Sequence, residues 1–482
     1  MPQLFFTDLA ALKMPAVVDG VVDQLTTAEI AAMESFGLVE GMPFILGEDG
    51  SYDHDLNRFF RAAPTMGVRS LNSLRAYARD IVVWLRFLAE RRDGKSLWAV
   101  DREDIAAFHR ARRLSSPTHR ISAQSWNRSI AALDKLYRWA VEEKLIDKAP
   151  FTYRQMWGRT TDGGTVGIAA NMAREAGSRK RNTRFLSLDR YLLFRDVGLR
   201  GRLPDGGEDP GWCGRNGERN ALFAELLVTT GLRLQEGSSL LLAELPALDS
   251  HPDQRSIPFP IAAATAKGNK GREVRLPLRL LRRLRDYADV ERANALDRYG
   301  LRRRWERIEA PLMVASHDRR SLRLDDQPSS PIRFNNLNPG ERGRLIHRQS
   351  REPLVLWLTE GGLPMPMAAW EAVFMRASAR CRRFGLDIDV TPHMLRHTFA
   401  VHMLTLLLRE QMAWLLEERA GRMSPAYRRL IGDPLLKLQR LMGHSRIEST
   451  YIYLDHLDEC QALIDAAVEQ WGLDVSAASV AA

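Results

Sequence analysis

The sequence predicts a mainly α-helical protein with a small antiparallel β-sheet, an α+β class. Residues 70–145 repeat apolar side chains every three or four positions, as one buried helix stripe requires. Two extended runs, 256–265 and 273–276, flank a turn rich in Gly and Lys, which indicates a β-hairpin. The chain has 482 residues, which is long enough for two or three packed domains.

The region 70–145 should form a small helical bundle. Its first helix carries the apolar stripe, the second begins near Asp101, and the third begins near Ser122. A basic flank lies between the second and third helices, and it fits a DNA-contacting face or an ordinary solvated surface equally well. Its members are Arg110, Arg112, Arg113, His119 and Arg120.

Composition limits the classes of partner and compartment. Lys and Arg total 70 against 60 Asp and Glu, so the formal charge is +10. This balance suits a polyanion such as nucleic acid, although an arginine-rich proteome gives the same sum. The three cysteines form no C-x-x-C pair, which argues against a disulfide framework or a structural zinc site. Without a signal peptide or an apolar run of about 18 residues, we expect a cytoplasmic protein that does not span a membrane.

The first chemical motif is Thr-Thr-Gly-Leu-Arg-Leu-Gln-Glu at 229–236. An apolar helix should stop at Gly231, and Arg233 should open the next one with Glu236 on the same face. Arg233 could then grip a phosphate in a forked geometry while Glu236 orients it. Taken alone, a surface Arg–Glu pair is the commoner explanation of such a stretch.

The second motif is the turn Lys-Gly-Asn-Lys-Gly-Arg at 267–272. A lysine at a hairpin tip could swing inward to protonate a leaving alkoxide, because its ammonium is a compact and movable donor. Lys267 and Lys270 both satisfy this description. A merely solvated basic turn is the default alternative.

The third motif is Thr-Pro-His-Met-Leu-Arg-His-Thr-Phe at 391–399. Thr391 is a suitable helix cap and Pro392 a suitable first residue, so His393 and Arg396 fall one turn apart at a helix N-terminus. The helix dipole favours an anion there. The apolar residues Met394, Leu395 and Phe399 should face the core.

The fourth motif runs from Met-Gly-His-Ser at 442–445 to a pair of tyrosines. Ser445 and Glu448 have capping-box spacing, which predicts a helix that begins at Arg446 with His444 just outside it. An unbroken helix would place His444 and Tyr453 roughly 13 Å apart, which is too far for both to contact one phosphate. The helix should therefore break between them.

Tyr453 is a candidate nucleophile once its phenol is activated. A phenol has a pKa near 10, so nearby cations must stabilise the phenoxide. The cations and donors on offer are Arg233, Arg396, His393 and His444. They could also neutralise the added negative charge of a pentacoordinate phosphorane without a metal.

Taken in order, these four motifs resemble the signature of the tyrosine recombinase (phage integrase) family. The resemblance makes Arg233 and Arg396 the phosphate clamp, with Glu236 as the structural acid. It makes Lys267 the general acid and Tyr453 the nucleophile. His393 and His444 become the histidines at the phosphate. Tyr453 is preferred to Tyr451 because it matches the family's step from histidine to tyrosine, and Tyr451 is then expected to be a packed neighbour.

The resemblance also implies a domain plan. We expect an N-terminal extension of unknown role (1–69), a helical core-binding domain (70–152), a linker (153–182), a catalytic domain (183–472) and a flexible tail (473–482). Two spans are longer than in compact members of the family, with insertions at about 285–350 and 405–430. An apolar stripe that runs from Leu457 to Trp471 could dock on a neighbouring subunit or pack on its own domain.

The expected activity is therefore cutting and rejoining of double-stranded DNA through a 3′-phosphotyrosyl intermediate. The family implies no metal and no cofactor, and normally four protomers on two DNA sites. Alternatives are a type IB topoisomerase-like relaxer and a catalytically silent DNA-binding accessory protein. A metal-dependent nuclease is less favoured because no carboxylate cluster stands out. The sequence does not reveal the target site, or whether the task is integration, excision, transposition or chromosome resolution.

Overall fold

The computed structural model describes residues 1–18, 21–68, 70–159, 165–175, 183–248, 255–301, 304–419 and 433–456. The chain divides into two compact units, Met1–Lys180 and Arg181–Ala482. The fold is mostly helical with small sheets, which confirms the predicted class.

The first unit combines helices with short two-stranded antiparallel sheets, in which β1 pairs with β4, β2 with β3 and β5 with β6. Its strands are β1 (Gln3–Phe6), β2 (Ala16–Val18), β3 (Val21–Asp23), β4 (Pro43–Leu46), β5 (Tyr153–Arg159) and β6 (Thr165–Asn171). Its helices are α1 (Leu9–Leu12), α2 (Thr27–Ser35), α3 (His54–Ala62), α4 (Leu71–Arg91), α5 (Arg102–Arg113) and α6 (Ala123–Glu142).

The bundle of α4, α5 and α6 has the predicted helix starts. Asp101 caps α5 in a reciprocal capping box, and the Ser122 hydroxyl accepts from the Ser125 amide at the start of α6. The interior is aromatic, and the Trp84 indole donates to the Tyr137 hydroxyl over 2.8 Å. Buried polar ends of aromatic side chains need such partners, so this bond fixes how α4 meets α6.

Flanking segments pack against the same bundle. Phe59 and Phe60 of α3 are fully buried in its core. Part of the span expected to be a linker forms the β5–β6 hairpin, and the Tyr153 hydroxyl at its base donates to Asp134 of α6 over 2.7 Å. The rest of the expected linker, residues 160–164 and 176–182, lies outside the described residues.

The second unit holds the remaining described elements. Its strands are β7 (Ser256–Ile261), β8 (Arg272–Pro277), β9 (Leu312–His317), β10 (Ser321–Leu324), β11 (Ile332–Arg333) and β12 (Leu345–His347). Its helices are α7 (Leu188–Leu193), α8 (Gly217–Thr230), α9 (Leu234–Ser238), α10 (Leu278–Tyr287), α11 (Ala293–Leu301), α12 (Pro339–Arg344), α13 (Met367–Arg383), α14 (Pro392–Arg419), α15 (Pro434–Met442) and α16 (Glu448–Tyr451).

The described residues of the second unit form three hydrophobic clusters: a large core, a satellite core and a smaller cluster that contains Phe399 and Tyr453. The large core joins α8, α13 and the β7–β8 hairpin, with the rings of Phe223 and Trp370 stacked at 3.7 Å. The satellite core lies under a four-stranded sheet of order β11-β10-β9-β12, in which β12 runs parallel to β9. This sheet occupies the long span between Lys267 and His393, so the inserted residues form a folded module.

The β7–β8 hairpin differs from its prediction at the tip. Thr265 was expected in a strand, but β7 ends at Ile261 and residues 263–265 and 267–269 form two 3₁₀ turns. Gly268 has φ 74° and Asn269 has φ 56°, both in the left-handed region. Strand pairing cannot continue through that backbone, so the tip is a long turn rather than a tight one.

No helix among the described residues is long and apolar enough to cross a membrane. Those residues also contain no group of three or more His, Cys, Asp or Glu side chains placed to hold a metal ion.

Candidate active site

A sharp turn between α8 and α9 places the first arginine. Gly231 ends α8 with φ 67°, and the Arg233 amide, at the N-cap of α9, donates to Glu236 Oε2 over 2.8 Å. The Arg233 guanidinium donates to Glu236 Oε1 over 2.9 Å. The Arg233 side chain keeps 24% of its surface exposed, whereas Glu236 is buried. The predicted helix stop and Arg–Glu pairing are confirmed.

Glu236 also holds a second guanidinium. Arg272, at the start of β8, donates to both carboxylate oxygens over 2.7 Å. Burial alone would raise the pKa of Glu236, but the hydrogen bonds and charge of Arg272, with those of Arg233, lower it to about 2. Glu236 is therefore an anion between two cations, and it fixes the orientation of both.

The N-terminal turn of α14 places the next two residues. The Thr391 hydroxyl accepts from the Met394 amide over 3.3 Å, which confirms the predicted cap. His393 is exposed on this turn, whereas Arg396 is only 2% exposed. Leu395 and Phe399 are buried in the core as predicted.

Arg396 links three segments of the site. Its guanidinium donates to the carbonyl oxygens of Gly231, the C-cap of α8, and Met442, the last residue of α15. Burial, together with the charges of Arg233 and Arg272, lowers the pKa of Arg396 to about 9. The guanidinium is still protonated at neutral pH, so three arginine cations converge at this point.

His444 follows the left-handed Gly443 at the end of α15. Its Nδ1 lies 3.0 Å from the Thr450 hydroxyl. Burial and the charge of Arg396 lower the pKa of His444 to about 4. Of the two roles considered for the site residues, cation or hydrogen-bond donor, His444 fits the donor at neutral pH, because the neutral ring still carries one N–H.

The segment after His444 corrects the predicted helix start. α16 begins at Glu448 rather than Arg446, and the Ser445–Glu448 capping box is not formed. The helix ends at Tyr451, so the predicted break before Tyr453 is confirmed. This break brings the rings of His444 and Tyr453 to 6.2 Å in a stacked arrangement.

Tyr453 faces inward in this conformation. Its side chain is 1% exposed, and its hydroxyl forms a 2.9 Å hydrogen bond with His397 Nδ1. The expectation that Tyr451 is packed is wrong, because Tyr451 is 47% exposed. Tyr451 is the last residue of α16, and Tyr453 lies two residues later, beyond the end of the helix. The two side chains therefore point in different directions, Tyr453 to the interior and Tyr451 to solvent.

Both candidate lysines lie at the exposed tip of the β7–β8 hairpin. The backbone before them is anchored, because the Gln235 side-chain amide of α9 donates to the Thr265 carbonyl over 3.1 Å. The base of the hairpin tip therefore lies beside α9, whose N-cap is Arg233. Lys267 and Lys270 project from the tip itself.

Two residues of this constellation were missed from sequence. Arg272 stands in the quoted Lys-Gly-Asn-Lys-Gly-Arg motif, but it pairs with a carboxylate 36 residues away. His397 follows Arg396 directly, and its ring also packs against His393 at 4.3 Å. Its position one turn after His393 was an available signal, because residues four apart share a helix face.

The basic flank of the bundle is partly committed to internal contacts. Arg113 donates to Glu175 over 2.6 Å and is held in place. Arg110 and Arg112 instead line a cleft of 860 Å³ between α4 and α5. Arg112 Nε is buried there without a hydrogen-bond partner among the described residues.

Two sequence expectations fall on residues that the structure does not fully describe. The apolar stripe from Leu457 to Trp471 lies outside the described residues. The added segment expected around 405–430 begins within α14, which continues to Arg419, and its remainder lies outside them.

Comparison with known proteins links both units to one family. Residues 56–144 match the phage integrase N-terminal SAM-like domain, and residues 213–406 match the phage integrase family. Tyrosine recombinase XerD of Mycobacterium leprae is 24% identical over 387 residues, which cover 79% of this chain and 86% of that protein.

Solved structures that are similar to this chain include complexes with DNA. The XerH site-specific recombinase bound to a palindromic difH substrate aligns over 87% of this chain and 85% of that one, with TM-score 0.44 and 14% identity. A λ integrase dimer bound to a COC′ core site aligns over 83% of this chain and 93% of that one, with TM-score 0.41 and 14% identity.

One family model falls in each compact unit, and residues 213–406 contain the first three motifs. The chain belongs to the phage integrase, or tyrosine recombinase, family and is a DNA breaking and rejoining enzyme of that family.

Proposed function

We propose that this enzyme cuts DNA by attack of the Tyr453 phenolic oxygen on a backbone phosphorus. The bond from phosphorus to the 5′ oxygen breaks, which leaves a 3′-phosphotyrosyl link and a free 5′-hydroxyl. Attack by the 5′-hydroxyl of a partner strand reverses the chemistry and releases the tyrosine. The number of phosphoester bonds is conserved, so the cycle needs no energy-rich cofactor.

The observation that carries this proposal is the convergence of Arg233, Arg272 and Arg396 around one buried carboxylate beside Tyr453. The three guanidiniums carry three positive charges, whereas Glu236 carries one negative charge. The remaining positive charge allows two of the guanidiniums to bind a phosphodiester. Forked donors suit the non-bridging oxygens of a phosphate. Arg233 is the partly exposed member and so makes the first contact.

The histidines of the site supply hydrogen-bond donors and acceptors. His393 is exposed at the N-terminal turn of α14, where backbone amides and the helix dipole also favour an anion. His444 is neutral, and its Nδ1 is engaged by Thr450, so Nε2 remains for a phosphate oxygen. His397 lies within hydrogen-bond reach of the nucleophile and can accept its proton.

Lys267 acts as the general acid that protonates the departing 5′ oxygen, with Lys270 as the alternative on the same tip. The exposed position of both lysines leaves them able to reach a bound DNA strand. Their ammonium groups can donate without a metal.

Tyr453 must leave its inward position before it can attack. At 1% exposure its hydroxyl does not meet a phosphate on the surface of the protein. The segment 448–456 has little regular structure, because it consists of the four-residue α16 and turns, and the Tyr453–His397 hydrogen bond must break for it to move. We propose that DNA binding moves this segment and exchanges the His397 hydrogen bond for the phosphate.

The assembly is proposed to be a tetramer on two DNA sites, acting in the cytoplasm and on the nucleoid. The Arg110 and Arg112 cleft of the bundle would contact backbone phosphates, because unpaired guanidinium groups gain from an anionic partner. The related XerH and λ integrase structures were solved on DNA.

A covalent trapping experiment tests the nucleophile. A recognition site is first selected from a duplex library by covalent capture, and a nicked version is then incubated with protein in EDTA. Wild type and Tyr451→Phe should become joined to the 3′ end, whereas Tyr453→Phe should not. Trapping that persists in Tyr453→Phe would refute the assignment. Relaxation of plasmids that lack the selected site would instead favour the topoisomerase-like alternative.

A further inference from the structure

We infer that the inserted module of the second unit is a brace for the catalytic hairpin, and that Asn335 is the positioning residue through which it acts on Lys267. This inference rests on the proposed role of Lys267 as the general acid. The contact that identifies it is a 2.7 Å hydrogen bond from the Ala263 amide to the Asn335 side-chain oxygen.

The hairpin tip needs such support because it is long and irregular. The strands end at Ile261 and resume at Arg272, so the intervening residues lack ladder hydrogen bonds. Left alone, a turn of this length samples many conformations, and each one places the ammonium group differently. A general acid must instead lie within hydrogen-bond reach of the oxygen that it protonates.

Two anchors hold the tip just before Lys267. Gln235 of α9 binds the Thr265 carbonyl, and Asn335 binds the Ala263 amide from the inserted module. The Ala263 amide falls two residues after the end of β7, where the strand no longer provides an acceptor. These bonds fix the root of the turn and leave the lysine side chain able to move.

Asn335 is itself rigidly placed. It sits on a 3₁₀ turn, Phe334–Asn336, that follows β11. The buried Arg342 donates to the Phe334 carbonyl over 2.7 Å and to the Leu337 carbonyl over 3.1 Å, on either side of Asn335. Arg342 is only 1% exposed, so loss of these bonds would leave buried N–H donors without acceptors.

The same arginine connects the brace to the phosphate clamp. Arg342 donates to the Ser239 carbonyl at the end of α9, and it forms a two-pronged pair with Glu244 over 2.7 and 2.9 Å. Arg233 is the N-cap of α9, and Glu236 lies within that helix. The buried guanidinium of Arg342 therefore sets the distance between Arg233, which is proposed to bind phosphate, and the turn that carries Lys267.

A substrate with a sulfur leaving group isolates this effect. A 5′-bridging phosphorothiolate releases a thiolate, which needs no protonation because a thiol has a pKa of about 8.5. Defects in the general acid therefore disappear on this substrate, whereas defects in DNA binding, clamping or nucleophile placement persist. Cleavage rates on oxygen and sulfur substrates, under single-turnover conditions with saturating protein, give the comparison.

Asn335→Ala should slow cleavage of the oxygen substrate by about fivefold, as expected for loss of one positioning hydrogen bond. It should match wild type on the sulfur substrate and in DNA affinity. Asn335→Asp keeps an oxygen that accepts from the Ala263 amide and should restore the rate. Asn336→Ala, on the exposed neighbour in the same turn, is the matched control and should behave as wild type.

The outcomes separate the brace from the proposed chemistry. Lys267→Ala should lose on the order of 100-fold or more on oxygen and recover on sulfur. If Lys267→Ala is not rescued by sulfur, the general-acid assignment fails and Lys270→Ala is measured in its place. If a lysine variant is rescued but Asn335→Ala is unaffected on oxygen, or equally slow on both substrates, the brace is refuted.

Discussion

At the scale of single residues, Glu236 determines how the cations of the site are arranged. Its carboxylate binds Arg233 and Arg272, which approach from α9 and from β8. Without that anion, three guanidiniums would repel one another in a region that excludes water. The carboxylate therefore stabilises the fold and also orders the arginines of the proposed phosphate site.

Glu236→Gln should destabilise the second unit by about 3 kcal/mol or more. The amide keeps the shape of the side chain but removes the charge, and Arg272 is then buried without a counter-ion. Urea unfolding followed by tryptophan fluorescence measures the change. Glu273→Gln, on an exposed carboxylate of the same hairpin, should change stability by less than about 0.5 kcal/mol. Equal stability of the two variants would contradict the role given to Glu236.

His444 should make stability depend on pH between about 6.5 and about 4. Its pKa is lowered to about 4 in the folded protein from an ordinary value of 6.5. Within that window the unfolded chain binds the proton and the folded one does not, so stability falls as the pH falls. Above pH 6.5 both forms are neutral and this contribution is fully present.

The comparison is the loss of unfolding free energy between pH 7.5 and pH 5. His444→Asn removes the titrating ring and should lose less stability across this interval than wild type. His317→Asn replaces an exposed imidazole in the same unit and should follow wild type. A wild-type curve that His444→Asn reproduces in full would mean that another group is responsible.

At the scale of elements, the turn between α8 and α9 positions the site through its backbone. Gly231 adopts φ 67°, which ends α8, and Arg233 two residues later is the N-cap of α9. Its carbonyl oxygen accepts from Arg396. Its missing side chain admits Phe399, because a Cβ there would lie 2.4 Å from that ring. One glycine thus brings the two clamp arginines together.

Gly231→Ala should destabilise the second unit by about 3 kcal/mol and abolish DNA cleavage. The cost combines a left-handed conformation, about 1 kcal/mol, with an overpacked contact against Phe399. Gly385→Ala has a similar φ of 73°, but a Cβ there meets none of the described residues within 4 Å. It should cost only about 1 kcal/mol and leave cleavage intact. Similar losses in the two variants would remove the steric argument.

At the scale of the whole molecule, the net charge and the division into two units both suit binding to DNA. The net charge of +10 favours binding to a polyanion, and each of the two compact units brings arginines of its own. Contacts to backbone phosphate release condensed counter-ions, so affinity should depend steeply on salt.

DNA affinity should fall by at least about 100-fold between about 50 and about 200 mM salt, with a linear relation between the logarithms. Titrations monitored by fluorescence anisotropy give the slope. Tyr453→Phe should keep the same slope while it loses covalent capture, because the phenol does not contribute to the electrostatic contacts. A slope near zero would contradict the proposed backbone contacts of both units.

Local sequence signals predicted the helix starts, the helix stop and the motif order. The Thr391 cap, the Gly231 stop and the starts of α5 and α6 were confirmed because each depends on residues within about four positions. In the segment after His444, the local signal predicted the wrong helix start. The Ser445–Glu448 spacing suits a capping box, yet packing of Tyr453 against His397 and His444 directs that segment into a later and shorter helix.

By itself, the sequence determined the family, the mainly helical class and the candidate residues of the site, because these follow from residue type and short spacing. Only the tertiary structure decided that Tyr453 faces inward while Tyr451 faces outward, that His444 is neutral, that Arg272 pairs with Glu236, and that Asn335 contacts the backbone of the hairpin tip. These properties depend on burial and on contacts between residues far apart in the chain. Such contacts exist only after packing has excluded water and brought the charges together.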